Sequence, residues 1–225
     1  MDWSNLGLIF VAGSQLTLAF IILFINFKNK ICLYFSAAVF CLAAWTAFTA
    51  LFRMVSGVEA IRILYSFKIS FGLLIALFFE IFAIYFPYQR WEINKLVQAI
   101  VMIPTLLTIL IILTFPQFLL TNIFVNPGAN TVTVNKIFWI LFSFSFTLSF
   151  VAVFVRLIIK FKEIGGFMKK SLLFVIVGGL VPVILSWFFN IIFLFFDVFV
   201  FDWIGALLSL IFCFVMYYFI FFKMD

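Results

Sequence analysis

RILYSFKISFGLLIALFFEIFAIYFPYQRWEINK, residues 62–95, decides the fold class. From Arg62 to Phe86 the run is long enough to cross a bilayer as a helix, which takes about 20 mostly apolar residues. It carries two ionisable side chains, Lys68 and Glu80, that fall in neither a loop nor a helix end. It closes on Phe86-Pro87 and a polar, basic turn.

The composition of the whole chain agrees with that run. Apolar residues make up 68% and charged residues 10%, against roughly 45–50% and 25% in soluble domains. A soluble protein of this length has too little interior to hide so much apolar surface. The excess of Phe, Ile, Lys and Asn also fits an AT-rich coding sequence. The formal charge of +6 does not point to nucleic acid, because the basic residues cluster in short loops between apolar spans. Cys32, Cys41 and Cys213 all lie in apolar spans at spacings that fit no metal motif, so they read as small core residues. There is no histidine, which removes His-ligated metals and Ser-His-Asp triads. No metal or cofactor site and no catalytic set is visible.

Working outward from residues 62–95, seven apolar spans appear, at about 6–26, 31–52, 62–86, 96–115, 137–159, 171–196 and 203–222. The start, MDWSN, lacks the basic region of a cleaved signal peptide. FKNK is a tight basic turn, and RMVSGVEA a short polar connector in which Ser56 looks like an N-cap. Pro104 predicts a kink in the fourth span. In the longest connector, NPGAN followed by TVTV predicts an ordered cap or small hairpin. The expected fold is thus an all-α membrane protein, a seven-transmembrane helix bundle in one domain over residues 1–225. With the N-terminus outside, ten Lys and Arg residues fall in inner segments: Lys28, Lys30, Arg90, Lys95, Arg156, Lys160, Lys162, Lys169, Lys170 and Lys223. Three, Arg53, Arg62 and Lys136, fall in outer ones. That bias predicts an outside N-terminus and a cytoplasmic C-terminus. Trp3, Trp91, Trp139 and Trp203 fall at predicted interfaces, as an aromatic belt would. No internal repeat is visible, and seven spans do not divide into the inverted halves common in transporters.

Lys68 and Glu80 are 12 residues apart, about 18 Å and 120° on an ideal helix, so they cannot pair with each other. A charge facing lipid near the bilayer centre costs at least about 2.5–3.5 kcal/mol. Lys68 either snorkels to the outer surface or lines an outward-facing pocket, with Asp197 or Asp202 as counter-charge. Glu80 either pairs with an inner-end cation such as Arg156 or Lys160 or takes part in signalling. Gln15, Trp45, Trp187 and Asn190 either hold helices together or line one pocket with Lys68. Gly178, Gly179 and Pro182 give close packing and a bend in the sixth span, or a hinge that transmits a signal. Ser143, Ser145, Thr147 and Ser149 alternate along the fifth span and would spread round a helix rather than form a stripe. Span seven has no lysine before Lys223 to carry a retinal Schiff base, and no Walker loop, kinase motif, GxSxG or paired carboxylates occur.

Several stretches carry a resemblance. They are NFKNK running into FSAAVFCLAAWTAF with its Trp45, LFFEIFAIYFP ending at Phe86-Pro87, KEIGGFMKKSLLFVIVGGLVP, and YYFIFFKMD at the end. Together they resemble the N-terminal seven-transmembrane sensor region of bacterial histidine kinases. That family commonly has a polar residue other than Glu near the position of Glu80. The resemblance covers nearly the whole chain through diffuse motifs. It implies a membrane region in the bacterial cytoplasmic membrane that passes a signal to a cytoplasmic dimerising kinase or other output domain, with a homodimer as the natural assembly. The chain itself has no phosphoacceptor His and no ATP-binding boxes. It is expected to be a non-enzymatic sensor module, isolated, truncated or stand-alone. The alternative is a small transporter or lipid-binding integral membrane protein, and an integral-membrane enzyme is disfavoured.

Overall fold

The computed structural model describes residues 3–87, 95–126, 130–196, 203–218 and 220. Five of its helices are long and apolar enough to cross a membrane. They are α1 (Trp3–Ile25), α2 (Lys30–Met54), α3 (Val58–Tyr85), α5 (Lys136–Glu163) and a continuous run over Met168–Phe195. That run takes in all but the start of α6 (Gly166–Trp187), a π-helical segment (Phe188–Ile192) and the single turn α7 (Phe193–Phe195). Two shorter apolar helices, α4 (Lys95–Thr114) and α8 (Ile204–Tyr217), occupy the other two expected spans. The chain is an all-α membrane protein with one two-stranded hairpin.

Local chemistry sets the helix starts. Asn29 and Asn135 cap α2 and α5, their side chains accepting from Ile31 N (2.8 Å) and Ile137 N (3.1 Å). The connector before α3 is shorter than RMVSGVEA suggests. Only Val55, Ser56 and Gly57 are non-helical, and Gly57 caps α3 without a side-chain bond, so Ser56 is not the cap. The fifth helix also runs past the expected end of its span at 159. Residues 156–163 continue α5, and only Ile164 and Gly165 separate it from α6. Arg and Lys are good helix formers, and two of these side chains have partners inside the bundle. Gly166, at φ +67°, makes the turn into α6 with a backbone that a β-carbon would strain.

The expected hairpin is present. β1 (Leu120–Phe124) pairs antiparallel with β2 (Thr131–Val134). Asn130 fastens it to the helices: its amide nitrogen donates to Phe52 O (2.8 Å) and to Val55 O, and its Oδ1 accepts from Asn126 N (2.9 Å). These bonds satisfy carbonyls at the C-terminal end of α2, groups that a helix leaves without internal partners. Asn130→Ala should therefore cost about 1–3 kcal/mol and free the hairpin first. Hydrogen exchange should show faster amides over 120–134 while those of α3 keep their protection. Unchanged exchange over the hairpin would contradict the anchor.

α2 and α3 form the centre. In α3 67% of the apolar window is buried, against 22% in the run through α6. The order of polar contacts along the helices gives their directions. Glu80 meets Arg156 and the end of α3 meets Lys160, so α3 and α5 run parallel. Thr105 bonds Ser149 (3.0 Å) and Thr108 bonds Ser145 (2.9 Å), so α4 runs antiparallel to α5. Ser145 and Ser149 thus form a polar seam with α4, while Thr147 faces away towards Trp187. α6 packs chiefly on α8, and α8 in turn touches α1 and α2. The three cysteines are buried and free, as small core residues. Trp139 is no interface residue. It is 1% exposed, and its indole N–H donates to Ile191 O (3.1 Å), a carbonyl of the π segment. Trp3 is 86% exposed, Trp203 is half-buried, and Trp91 lies outside the described residues.

Candidate functional site

Two buried constellations stand out, one charged and one hollow. The charged one joins α3 to α5. Arg156 Nη1 lies 3.1 Å from Glu80 Oε1, and the Glu80 side chain is fully buried. The approach lacks hydrogen-bond geometry. Both Glu80 oxygens and both terminal nitrogens of Arg156 are without hydrogen-bond partners among the described residues. One helical turn on, Lys160 is 2% exposed, and its ammonium donates to Ala83 O (2.7 Å), Ile84 O (2.7 Å) and Phe86 O (2.6 Å). These carbonyls form the negative end of the α3 dipole, where a cation is favoured. Of the two partners named for Glu80 from the sequence, Arg156 is the one that pairs and Lys160 clamps the helix end instead.

Lys68 is not at the surface, and the snorkelling reading is corrected. The residue is 1% exposed, with its Nζ 5.5 Å from the Phe52 ring centre and 5.4 Å from that of Tyr65. Helix α3 begins four residues earlier than the sequence suggested, which sets Lys68 ten residues, about 15 Å, inside it. At that depth the two rings provide cation–π attraction that water cannot. Asp197 and Asp202, named as counter-charges, lie outside the described residues.

The hollow site is a cavity of about 80 Å³ among α2, α3, α5, α6 and α8. Of the five residues proposed to share a pocket, it takes in only Trp45 and Asn190. Lys68 belongs to the aromatic cluster at the hairpin end. Gln15 is a helix tie beside the cavity: its amide donates to Ser209 Oγ (3.0 Å) and its carbonyl accepts from Thr46 Oγ1 (3.0 Å), linking α1, α2 and α8. Trp187 is 37% exposed and donates to Thr147 Oγ1 (3.0 Å) across the outer α5–α6 groove.

Asn190 sits in the π segment, a helix form common at functional sites. Its amide nitrogen donates to Ser186 O (3.1 Å) and Ser186 Oγ (3.2 Å), whereas its Oδ1 is buried without a hydrogen-bond partner. Gly205 makes room for it, since a β-carbon there would overlap Asn190 Nδ2 and come within 3.4 Å of the Trp45 ring. The ring of Trp45 reaches from Gly72 on α3 to Gly205 on α8 and forms the cavity floor. Pro182 lines the α6 wall. Gly178 and Gly179 bring α6 close to α8: β-carbons at these positions would lie 3.1 Å from Val215 and 3.2 Å from Phe212. The close-packing expectation for the two glycines therefore describes a specific contact.

Among the described residues no group of His, Cys, Asp and Glu could hold a metal ion. Sequence reading missed Ser186, Ser209 and Gly205. The signal for the first was a Ser four residues before Asn190, one turn away on a helix. No family model matches the chain, and no curated protein or solved structure matches it.

Proposed function

We propose that the chain is a membrane-embedded sensor, a signal-transducing module like the input region of a histidine kinase. In this reading it has seven spans, an outside N-terminus and a cytoplasmic C-terminus in a bacterial cytoplasmic membrane. It hands its signal to a cytoplasmic kinase or other output domain and works as a homodimer. One observation supports this most: the cavity lies between the deeply buried α2–α3 pair and the lightly buried run through α6, with α8 beside it. An occupant there favours one arrangement of α6 against α3 over another, which is what a ligand must do to shift an equilibrium. The tight glycine contact then moves α8 with α6. Glu80 and Arg156 set the resting position of α5.

The test joins the chain to a histidine-kinase output domain, reconstitutes it in vesicles and measures autophosphorylation. Glu80→Gln and Lys68→Ala are expected to shift the basal or stimulated level by about fivefold or more, the usual range of coupling. Unchanged levels in both would remove the ligand-receiving role read for Lys68 and the signalling role read for Glu80. The apolar groove between α5 and α6 favours a second reading, a lipid-binding or transporting membrane protein. Uptake of substrate by vesicles holding the unfused chain would support it.

A further inference from the structure

Three features converge at Asn190. Its Oδ1 is a buried acceptor without a partner. A buried amide oxygen without a hydrogen bond costs about 1–3 kcal/mol, so this atom favours a ligand that brings a donor. The second feature is charge: among the described residues, none that lines the cavity is ionisable. An ionic head would enter without a counter-charge, at a cost far above that of a neutral one. The third is adjacency, since one wall separates the cavity from lipid-facing space. Phe146, Phe150 and Val183 line both this cavity and the outer groove of about 300 Å³ between α5 and α6. Apart from Thr147 and Trp187, the groove is wholly apolar, and the polar atoms of those two bond each other. Beyond the Thr147 hydroxyl, whose own hydrogen this bond leaves unused, the groove offers a ligand only a channel for an alkyl chain. The cavity volume is several times the roughly 10–15 Å³ that one water needs, which leaves room for a small head group.

We propose that this cavity and groove form one binding site for an uncharged, single-chain amphiphile whose small head carries a hydrogen-bond donor, such as a long-chain alcohol. The hydroxyl donates to Asn190 Oδ1 and lies over the ring of Trp45. The chain passes Val183 and follows the α5–α6 groove to the lipid. The ligand arrives sideways from the bilayer rather than from water. This names the ligand class for the sensor reading and rests on the cavity that supports it.

The full chain, in lipid nanodiscs, is exposed to a C12 alcohol with a diazirine near its far end, and labelled residues are mapped by mass spectrometry. A C12 alkane and a C12 carboxylate with the same diazirine serve as comparison probes. The alcohol should label α5 and α6 between 146 and 184 and exceed both comparison probes by about tenfold, near the worth of one well-made hydrogen bond in a dry site. Asn190→Leu should reduce alcohol labelling to the alkane level. Val183→Phe, which narrows the passage and leaves Asn190 in place, should reduce it too and serves where Asn190→Leu does not fold. Equal labelling by alcohol and alkane overturns the proposal, because the head is then not read. So does equal labelling by the carboxylate, or alcohol labelling that survives Val183→Phe. If the alcohol binds as described but leaves the autophosphorylation of the fused chain unchanged, the site stands and the sensor reading falls. If autophosphorylation responds to the variants while no alcohol binds, the reverse holds.

Discussion

Lys160→Met is expected to lower the stability of the folded chain by about 3–5 kcal/mol. A helix end leaves its last carbonyls without internal partners. At α3 the amide of Phe86 serves Phe82 O (2.9 Å), and Lys160 serves three of the carbonyls that follow. An ammonium has three N–H donors radiating from one atom, and the three carbonyls lie 2.6–2.7 Å from that atom. Met has nearly the same length and none of the donors. It leaves carbonyls dry at a site that is 2% exposed and removes the charge facing the α3 dipole. Arg should be intermediate, because its planar fork cannot converge on three acceptors as a point cation does. Unfolding in graded SDS, followed by far-UV circular dichroism, reads the order wild type, Arg, Met. A Met variant within about 1 kcal/mol of wild type would show that lipid headgroups or water replace the lysine at no cost.

The second large effect is a pair effect. Glu80→Leu or Arg156→Met alone should each cost about 3–5 kcal/mol, since each leaves a lone charge in the bundle. The double variant should recover much of that loss, because an apolar pair of similar volume no longer has ions to desolvate. The cycle should return a coupling of about 2–3 kcal/mol. The incomplete hydrogen bonding of the pair sharpens this expectation, since partial satisfaction makes a buried ionic pair a weak contributor. Losses that simply add in the double variant would mean that Glu80 and Arg156 are held by other groups. The same SDS series measures all three variants, and added salt should leave the coupling intact because Glu80 is sealed from solvent.

Much of the architecture was legible because lipid imposes a length. Every apolar run became a helix, and the TVTV segment after NPGAN became the second strand of a hairpin. The ends were less legible. Arg156 and Lys160 read as inner-end cations because charges normally mark the edge of a span. Their partners, Glu80 and the end of α3, lie more than 70 positions away in the chain. Faces were the least legible. A soluble helix shows its inner side through alternating polarity, but a helix that is apolar all round carries no such stripe. Trp45 and Trp187 therefore looked equivalent, and one lies on the cavity floor while the other lies on the outer groove. Trp139 looked like a belt residue and is a core donor to the π segment. Ser145 and Ser149 were hidden among four alternating hydroxyls, although their spacing of four places them on one helix face. The π segment itself has no mark in the sequence beyond an Asn among phenylalanines.

The clamp on α3 has a bearing on how the chain is made. Synthesis runs from the N-terminus, so α3 already exists when α5 leaves the ribosome. Arg156 and Lys160 are costly to leave in hydrocarbon without company, and both find their partners on a helix made earlier. Asn130 likewise reaches back to α2, and Ser145 and Ser149 reach back to α4. Asn5 and Gln15 on α1 both need a later helix, and α2, the very next one, meets them through Arg53 and Thr46 long before Ser209 arrives. The order of residues along the chain is thus also a schedule: the cations of α5 enter the membrane after the groups that receive them, whereas Glu80 waits on α3 until Arg156 arrives.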